Sequence, residues 1–392
     1  MWKKVLIVMG VLAVLSLAAT ATFIYGTYTK ISVNPWGSKP STTPTSSPIP
    51  ELFNQGRVHT TLLLGYGGGN HQGGLLTDTM MLAIIHPESQ TITLLSLPRD
   101  LWVDLPVAGD ELSGWKINAA YAIGSDDKSY RYKNDEFKGA AGGGNLAKYA
   151  VKQATGLEVD KFVSVNFSAF RKSVDVLGGV EVNVEKAFVD PVYPIEGKET
   201  DPCGKTPEEL AAYATMAASV AERELSCRYE VLRFNKGITL MDGTTALKYV
   251  RSRHSFQDGT DFGRAARQRN LILAMRDKVF RIDFFPKIIP FVNSLAGDIK
   301  TDYAIADMQE FLKFKDELAD YKIVSTAISD DNVLTTGRSP NGQSIVMSKK
   351  GIGEWESVHT WIQEELDRTR YPEKYASDSA EASESAEVNV AE

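Results

Sequence analysis

TTLLLGYGGGNHQGGLLTDTMMLAIIHPESQTITLLSLPRD, residues 60–100, carries the clearest strand signals in the chain. Thr60-Thr61-Leu62-Leu63-Leu64 is a β-favouring apolar run that empties into Gly65-Tyr66-Gly67-Gly68-Gly69. Thr79 to Ile85 and Thr91 to Leu97 are two more such runs. With His86-Pro87-Glu88-Ser89-Gln90 between them they predict an antiparallel hairpin. Pro98 has no N–H for a ladder and stops the last strand, which leaves Arg99 and Asp100 at its end, where ligands usually sit in such sheets. A turn ion pair between those two is the plainer reading. Leu76-Thr77-Asp78-Thr79 offers a carboxylate and hydroxyls to a hard cation such as Mg²⁺, although an Asp before a strand is more often a turn residue. The glycine run lacks both the third glycine of the dinucleotide fingerprint and the Gly-Lys-Ser/Thr of a P-loop, so nucleotide binding has little support.

Outward from this stretch, helices interleave with strands. Asn145 can cap a helix that Gly156 ends, Phe162 to Phe167 reads as a strand, Ser168 caps a helix ended by Gly178-Gly179, and Val180 to Val184 alternates as a strand. The order predicts an α/β fold with a mixed central β-sheet flanked by helices. Asp242 leads into a helix over Ala246 to Arg251, and another runs from Phe262 to Val279. After Pro286 the pattern suggests a helix over Asp307 to Leu318, a strand over Tyr321 to Ile328 and a turn at Pro340-Asn341-Gly342.

With 43% hydrophobic and 24% charged residues over 392 positions, wholesale disorder is excluded, and a net charge of −7 argues against a nucleic-acid partner. Lys3 and Lys4 precede a charge-free run from Val5 to Tyr28 that is long enough to span a bilayer. The expected layout is a cytoplasmic residue 1–4, a transmembrane anchor at 5–28, and everything after it extracellular, making a single-pass protein of the cell membrane. A cleaved signal peptide ending at Ala19-Thr20-Ala21 is the alternative. Residues 29–57, with NPWGSKPSTTPTSSPIP at 34–50, read as a Pro/Ser/Thr-rich linker holding the fold away from the lipid. A folded domain is expected over 58–285, an α/β extension of unknown role over 286–371, and a disordered acidic tail over 372–392. Export favours a bridge between Cys203 and Cys227, worth about 3 kcal/mol for a loop of that size, over two free thiols.

The segment RSRHSFQDGTDFGRAARQR, residues 251–269, holds five arginines. In a helix starting after Asp261, Arg264 and Gln268 share a face. Guanidinium forks suit phosphate oxygens, several together suit a diphosphate, and a nearby acid can take a proton from an attacking hydroxyl. A solvated basic helix capped by Asp261 is the competing reading. Lys116-Ile117-Asn118 adds a cation and an amide, or simply starts a helix.

Together these segments resemble the LytR-CpsA-Psr family of cell-envelope glycopolymer transferases. The matching text is Leu62-Leu63-Leu64-Gly65, Thr77-Asp78-Thr79-Met80-Met81-Leu82, Ser96-Leu97-Pro98-Arg99-Asp100, Lys116-Ile117-Asn118-Ala119-Ala120-Tyr121, Asp175-Val176-Leu177-Gly178-Gly179-Val180, and Arg251 through Gln268. The resemblance implies a sheet-and-helix fold enclosing an apolar channel for a polyprenyl chain. It also implies a phosphotransferase moving a glycopolymer from a polyprenyl-diphosphate carrier to a peptidoglycan hydroxyl. By position, Arg99, Lys116, Arg251, Arg253, Arg267 and Gln268 would bind the substrate; Asp261 and Arg264 would be catalytic, Asp261 as base or as an acid orienting arginine; Asp78 would hold Mg²⁺. Two residues depart from the family pattern. Gly67 stands where a second carboxylate ligand is usual, and Leu76 where an arginine is usual, which leaves a metal site that is weaker, differently built or absent, with Asn70 and His71 as the residues that could compensate. The departures keep open a non-catalytic envelope protein that binds polyprenyl phosphates or glycans. A polyprenyl-diphosphate hydrolase is a third reading.

Overall fold

A computed structural model describes residues 57–69, 73–216, 218–257, 259, 261–279, 298–304, 307, 311 and 313–375, together with Gly26, Thr29, Ser32 and Val33. The expected membrane anchor apart from Gly26, and nearly all of the acidic tail, lie outside these residues. Among the described residues no helix is long and apolar enough to cross a membrane. The chain divides into two compact units, Met1–Lys172 with Phe280–Glu392, and Ser173–Val279.

The first unit is built on a six-stranded sheet. Its strands are β1 (His59–Tyr66), β2 (Thr77–His86), β3 (Thr91–Leu97), β6 (Lys161–Asn166), β11 (Ile299–Thr301) and β12 (Lys322–Ala327), in the order β11-β6-β1-β2-β3-β12. β1 pairs antiparallel with β2, and β2 with β3, as the hairpin reading requires. β1 pairs parallel with β6, and β3 with β12, so the sheet is mixed. The central strands are buried almost continuously, as expected when both faces are covered. Around the sheet lie the hairpin β4 (Trp102–Ala108) and β5 (Glu111–Lys116), the hairpin β13 (Leu334–Arg338) and β14 (Ser344–Ser348), and the helices α1 (Ala119–Ser125), α2 (Gly142–Thr155) and α9 (Glu356–Arg370). Leu62, Leu82, Leu95, Ala150, Phe162, Val358 and Ile362 meet in one core.

α2 starts three residues before Asn145. A Cβ at Gly142 would lie 2.4 Å from the Phe137 carbonyl oxygen and 2.5 Å from that of Gly124, so only glycine permits this approach to α1. Its other end is where the sequence placed it, with Gly156 left-handed at φ 71°. The helix expected to be capped by Ser168 is α3 (Phe167–Val176), and Asn166 Oδ1 takes the Ala169 N–H at 2.8 Å instead.

The boundary drawn at 285/286 does not separate two folds. β11 and β12 come from beyond it and pair with β6 and β3 in the central sheet, and α9 packs into the same core. Nor is the linker free throughout, since Ser32 bridges to Thr301 at the sheet edge. Of the helix expected over 307–318, α8 (Lys315–Ala319) is described together with helical Asp307, Phe311 and Lys313, and the rest lies outside the described residues.

The second unit holds two antiparallel pairs, β7 (Val180–Val184) with β10 (Gly237–Met241) and β8 (Phe188–Pro194) with β9 (Tyr229–Phe234). Between β8 and β9 sit α4 (Pro207–Tyr213) and α5 (Ala218–Glu224), and after β10 come α6 (Gly243–Arg251) and α7 (Asp261–Val279). Cys203 and Cys227 form a disulfide that closes the β8–β9 insertion. α4 buries none of its residues, so the insertion has little core to replace the bridge. Cys203→Ser with Cys227→Ser is expected to lower stability by about 3 kcal/mol in a urea titration; an unchanged midpoint would show that the insertion holds itself.

His86 closes β2 at 3% exposure, and neither ring nitrogen has a hydrogen-bond partner. Burial, reinforced by the Arg370 charge and opposed by Asp367, lowers its pKa from the ordinary 6.5 to about 4. The unfolded chain therefore takes up a proton near pH 6.5 that the folded chain refuses until about pH 4. Stability should fall as pH drops through that window, by about 3 kcal/mol in all. His86→Phe should flatten this part of the pH profile of urea midpoints; an identical slope would assign it to other groups.

Candidate functional site

The residues singled out from the sequence fall into two groups, one in each unit. In the first unit, three separate segments converge. The end of β3 turns at Pro98, with Leu101 N–H donating to the Pro98 carbonyl at 3.3 Å, and this presents Arg99 and Asp100. Asn118, just after β5, donates its N–H to the Arg99 carbonyl at 3.2 Å, and its own carbonyl accepts from Thr77 N–H at 3.1 Å and Thr77 Oγ1 at 3.3 Å. The backbone thus locks the β2, β3 and β5 motifs together before any charge is counted.

The side chains complete an alternating chain of charges. Arg99 Nη1 donates to Asp78 Oδ1 at 2.5 Å, Arg99 Nε lies 3.5 Å from Asp100 Oδ2, and Lys116 Nζ donates to Asp100 Oδ1 at 2.7 Å. These four side chains are 28–38% exposed, enough to meet a ligand from solvent. Burial pushes the Asp100 carboxyl up, but the Lys116 hydrogen bond and the Arg99 and Lys116 charges outweigh it and hold the group below the ordinary carboxylate range. Asp100 is therefore a fixed anion that orients both cations. Tyr66, paired with Thr77 across β1 and β2, and Tyr121, three residues after Asn118, hold their rings 5.4 Å apart, and the Tyr121 hydroxyl meets Ser164 Oγ at 2.8 Å.

Asp78 was expected to hold Mg²⁺. Its carboxylate instead faces a guanidinium, and among the described residues no group of three or more metal-ligating side chains includes it. The one such group is Asp201 with Cys203 and Cys227, whose sulfurs are spent in the disulfide. Gly67 supplies no carboxylate, and Asn70 and His71 lie outside the described residues. The described donor set does not fit a protein-built Mg²⁺ site.

In the second unit, α6 ends at Arg251 and the chain turns through Ser252, Arg253 and His254 before α7. One buried carboxylate shapes that turn. Asp190, with no exposed surface, accepts through Oδ2 from Ser252 Oγ at 2.7 Å, Arg253 N–H at 3.1 Å and His254 N–H at 3.2 Å, and through Oδ1 from Val192 N–H at 3.1 Å. Arg267 is 2% exposed; its Nη2 donates to the Ser252 carbonyl at 2.6 Å and its guanidinium lies 4.8 Å from the Phe188 ring centroid. Expected as a substrate contact, Arg267 is placed as a support for the turn. Arg251 lies 6.0 Å from the Tyr193 ring centroid. Arg253, Arg264 and Gln268 are half-buried, and Arg264 and Gln268 are one helical turn apart on α7. Asp261 is the first residue of α7, and its side chain lies outside the described residues.

Asp190 escaped the sequence reading. It is one acid before a proline in Val189-Asp190-Pro191, more than sixty residues from the turn it holds.

The LytR_cpsA_psr family profile matches residues 29–354. The chain belongs to the LytR-CpsA-Psr family. Among its LytR-CpsA-Psr relatives, a polyisoprenyl-teichoic acid–peptidoglycan teichoic acid transferase TagU of Enterococcus faecalis is 25% identical over 74% of this chain and 75% of its own. The protein of the same name from Oceanobacillus iheyensis is 26% identical over 67% of this chain and 65% of its own, so the match leaves a third of that relative unspanned. A solved structure from Streptococcus agalactiae superposes with a TM-score of 0.53 at 21% identity, covering 82% of this chain and 92% of that one, which speaks for the fold alone. The mixed sheet flanked by helices is thus the family's fold.

Proposed function

We propose that this LytR-CpsA-Psr protein is a membrane-anchored phosphotransferase that moves a glycopolymer from a polyprenyl-diphosphate carrier to a hydroxyl of peptidoglycan, in the cell envelope. The observation that carries the reading is the ordered, solvent-reachable array Asp78–Arg99–Asp100–Lys116, built from three family motifs. Its support from relatives is that those named above are teichoic acid transferases.

In the proposed reaction the acceptor oxygen attacks the phosphorus that bears the glycan. A new P–O bond forms the phosphodiester, the diphosphate P–O bond breaks, and polyprenyl phosphate leaves with the bond's electron pair. The acceptor's proton passes to a base, for which Asp261 is the candidate by motif position. Phosphoryl transfer asks the protein chiefly for positioning and charge neutralisation. By motif position, Arg251, Arg253, Arg264 and Gln268 of the second unit are candidates for that task, as Arg99 and Lys116 are in the first; Asp100 fixes the direction of Arg99 and Lys116, and Asp190 the path of the chain at Arg253. The anchor is the apolar run at residues 5–28.

One observation favours a second reading. Asp78 is spent on Arg99 and Gly67 offers no partner carboxylate, which suits an envelope protein that binds polyprenyl phosphates or glycans without turnover. Binding and turnover separate the two. With a fluorescent polyprenyl diphosphate, Arg251→Ala and Arg264→Ala should each weaken binding about tenfold or more; intact binding and transfer in both variants would refute the site assignment.

A further inference from the structure

The end of β2 nearest the charge cluster carries one extra residue. Tyr66 pairs with Thr77 and Gly65 with Thr79, so Asp78 stands unpaired between them as a β-bulge. A bulge re-aims the side chain it carries. Here the Asp78 carboxylate meets Arg99, whose Nη1 donates to Oδ1 at 2.5 Å while Nε lies 3.5 Å from Asp100 Oδ2. Nη2 is left without a partner among the described residues, in a side chain 38% exposed.

The strand ends beside this pair add no charge to it. Beyond the Tyr66–Thr77 rung, Gly68 N–H donates to the Gly74 carbonyl at 2.8 Å and closes the base of the glycine loop. Gly67 flanks that mouth on one side, and Leu75 and Leu76, 39% and 37% exposed, on the other. The backbone does not demand glycine at 67. Unlike Gly68 and Gly69 it is not left-handed, and a Cβ there would meet only Phe167 Cε2, at 3.8 Å, an ordinary contact. Gly67 and Leu76 thus omit one acid and one arginine together, and the two anions and two cations of Asp78, Arg99, Asp100 and Lys116 still balance. A dication at Asp78 would have to displace the guanidinium and then sit beside two like charges.

We propose that Arg99 is this chain's built-in replacement for a divalent ion. Held on Asp78 by the bulge, its guanidinium neutralises the diphosphate, and substrate binding needs no Mg²⁺. A guanidinium stays charged and offers its remaining donors to phosphate oxygens in a fixed fork. Asp78 is then a positioning residue for Arg99. The inference rests on the proposed diphosphate substrate and holds for a transferase and for a binder alike.

The test titrates a fluorescent polyprenyl diphosphate into the full chain in detergent, once in EDTA and once in millimolar Mg²⁺. The same affinity is expected in both. Arg99→Ala should bind about tenfold more weakly in EDTA and regain part of the loss in Mg²⁺, because the freed Asp78 carboxylate can then take the ion. Gly67→Asp, which adds an acid where the backbone has room, should bind several-fold more weakly in EDTA and recover in Mg²⁺. A parent protein that loses its affinity in EDTA and regains it in Mg²⁺ would overturn the inference and leave the substrate intact. So would an Arg99→Ala or Gly67→Asp protein that melts cooperatively and binds in EDTA as the parent does. No binding by the parent in either buffer would remove the proposed substrate and the inference with it.

Discussion

Asp190→Ala is expected to cost about 4 kcal/mol of stability and to lower transfer by about a hundredfold or more. The carboxylate has no exposed surface and answers four donors, from Val192, Ser252, Arg253 and His254. Alanine leaves those donors buried without acceptors, at about 1–3 kcal/mol for each that water cannot reach. The same change frees the turn that carries Arg253, so activity falls even where the fold survives. Asp190→Asn keeps one acceptor oxygen and should fall between, whereas Arg253→Ala should lose transfer with little change in stability. Urea titrations paired with a transfer assay on the three variants check this ordering. An Asp190→Ala protein as stable as the parent would show that the turn is held by other means.

The second large effect separates two arginines three residues apart. Arg264→Ala should reduce transfer by about 10²–10³-fold, the scale of removing one preorganised donor to a developing anion, while costing less stability than Arg267→Ala, since the side chain is half-buried where Arg267 is fully buried. Arg264→Lys should restore only part of the rate, because an ammonium cannot make the bidentate fork. Arg267→Ala should do the reverse at first. Its buried guanidinium bonds the Ser252 carbonyl and covers Phe188, so stability drops and activity follows. Thermal melts and kinetics on the two alanine variants would show the split; equal stability losses would mean that Arg264 supports the fold as well.

How far the sequence could be read depended on how local the deciding force was. β3 and β7 have the bounds their apolar runs predicted, because alternation and turn residues decide a strand within a few positions. α2 starts three residues before the Asn145 cap expected from the sequence, because Gly142–Gly144 pack closely on Gly124, Phe137, Tyr121 and Phe162, contacts that leave no local mark. The place of β12 beside β3 was not legible, since a parallel partner more than two hundred residues away leaves no local mark. The site divides in the same way. Asp78, Arg99, Lys116 and the arginines of residues 251–267 were found as motifs. Asp100 as the anion between two cations, Asp190 as the holder of a turn, and Arg267 as its support emerge only from the folded contacts.

The central claim is turnover to a sugar acceptor. The most direct measurement incubates the full chain with a polyprenyl-diphosphate oligosaccharide and peptidoglycan fragments and follows the products by mass spectrometry. Oligosaccharide joined to peptidoglycan through a phosphodiester, with one polyprenyl phosphate released per link and both lost in Arg264→Ala, is the predicted result. Tight binding without product would contradict it in favour of a lipid-binding role, and glycan phosphate released into water in place of a linked product would contradict it in favour of hydrolysis.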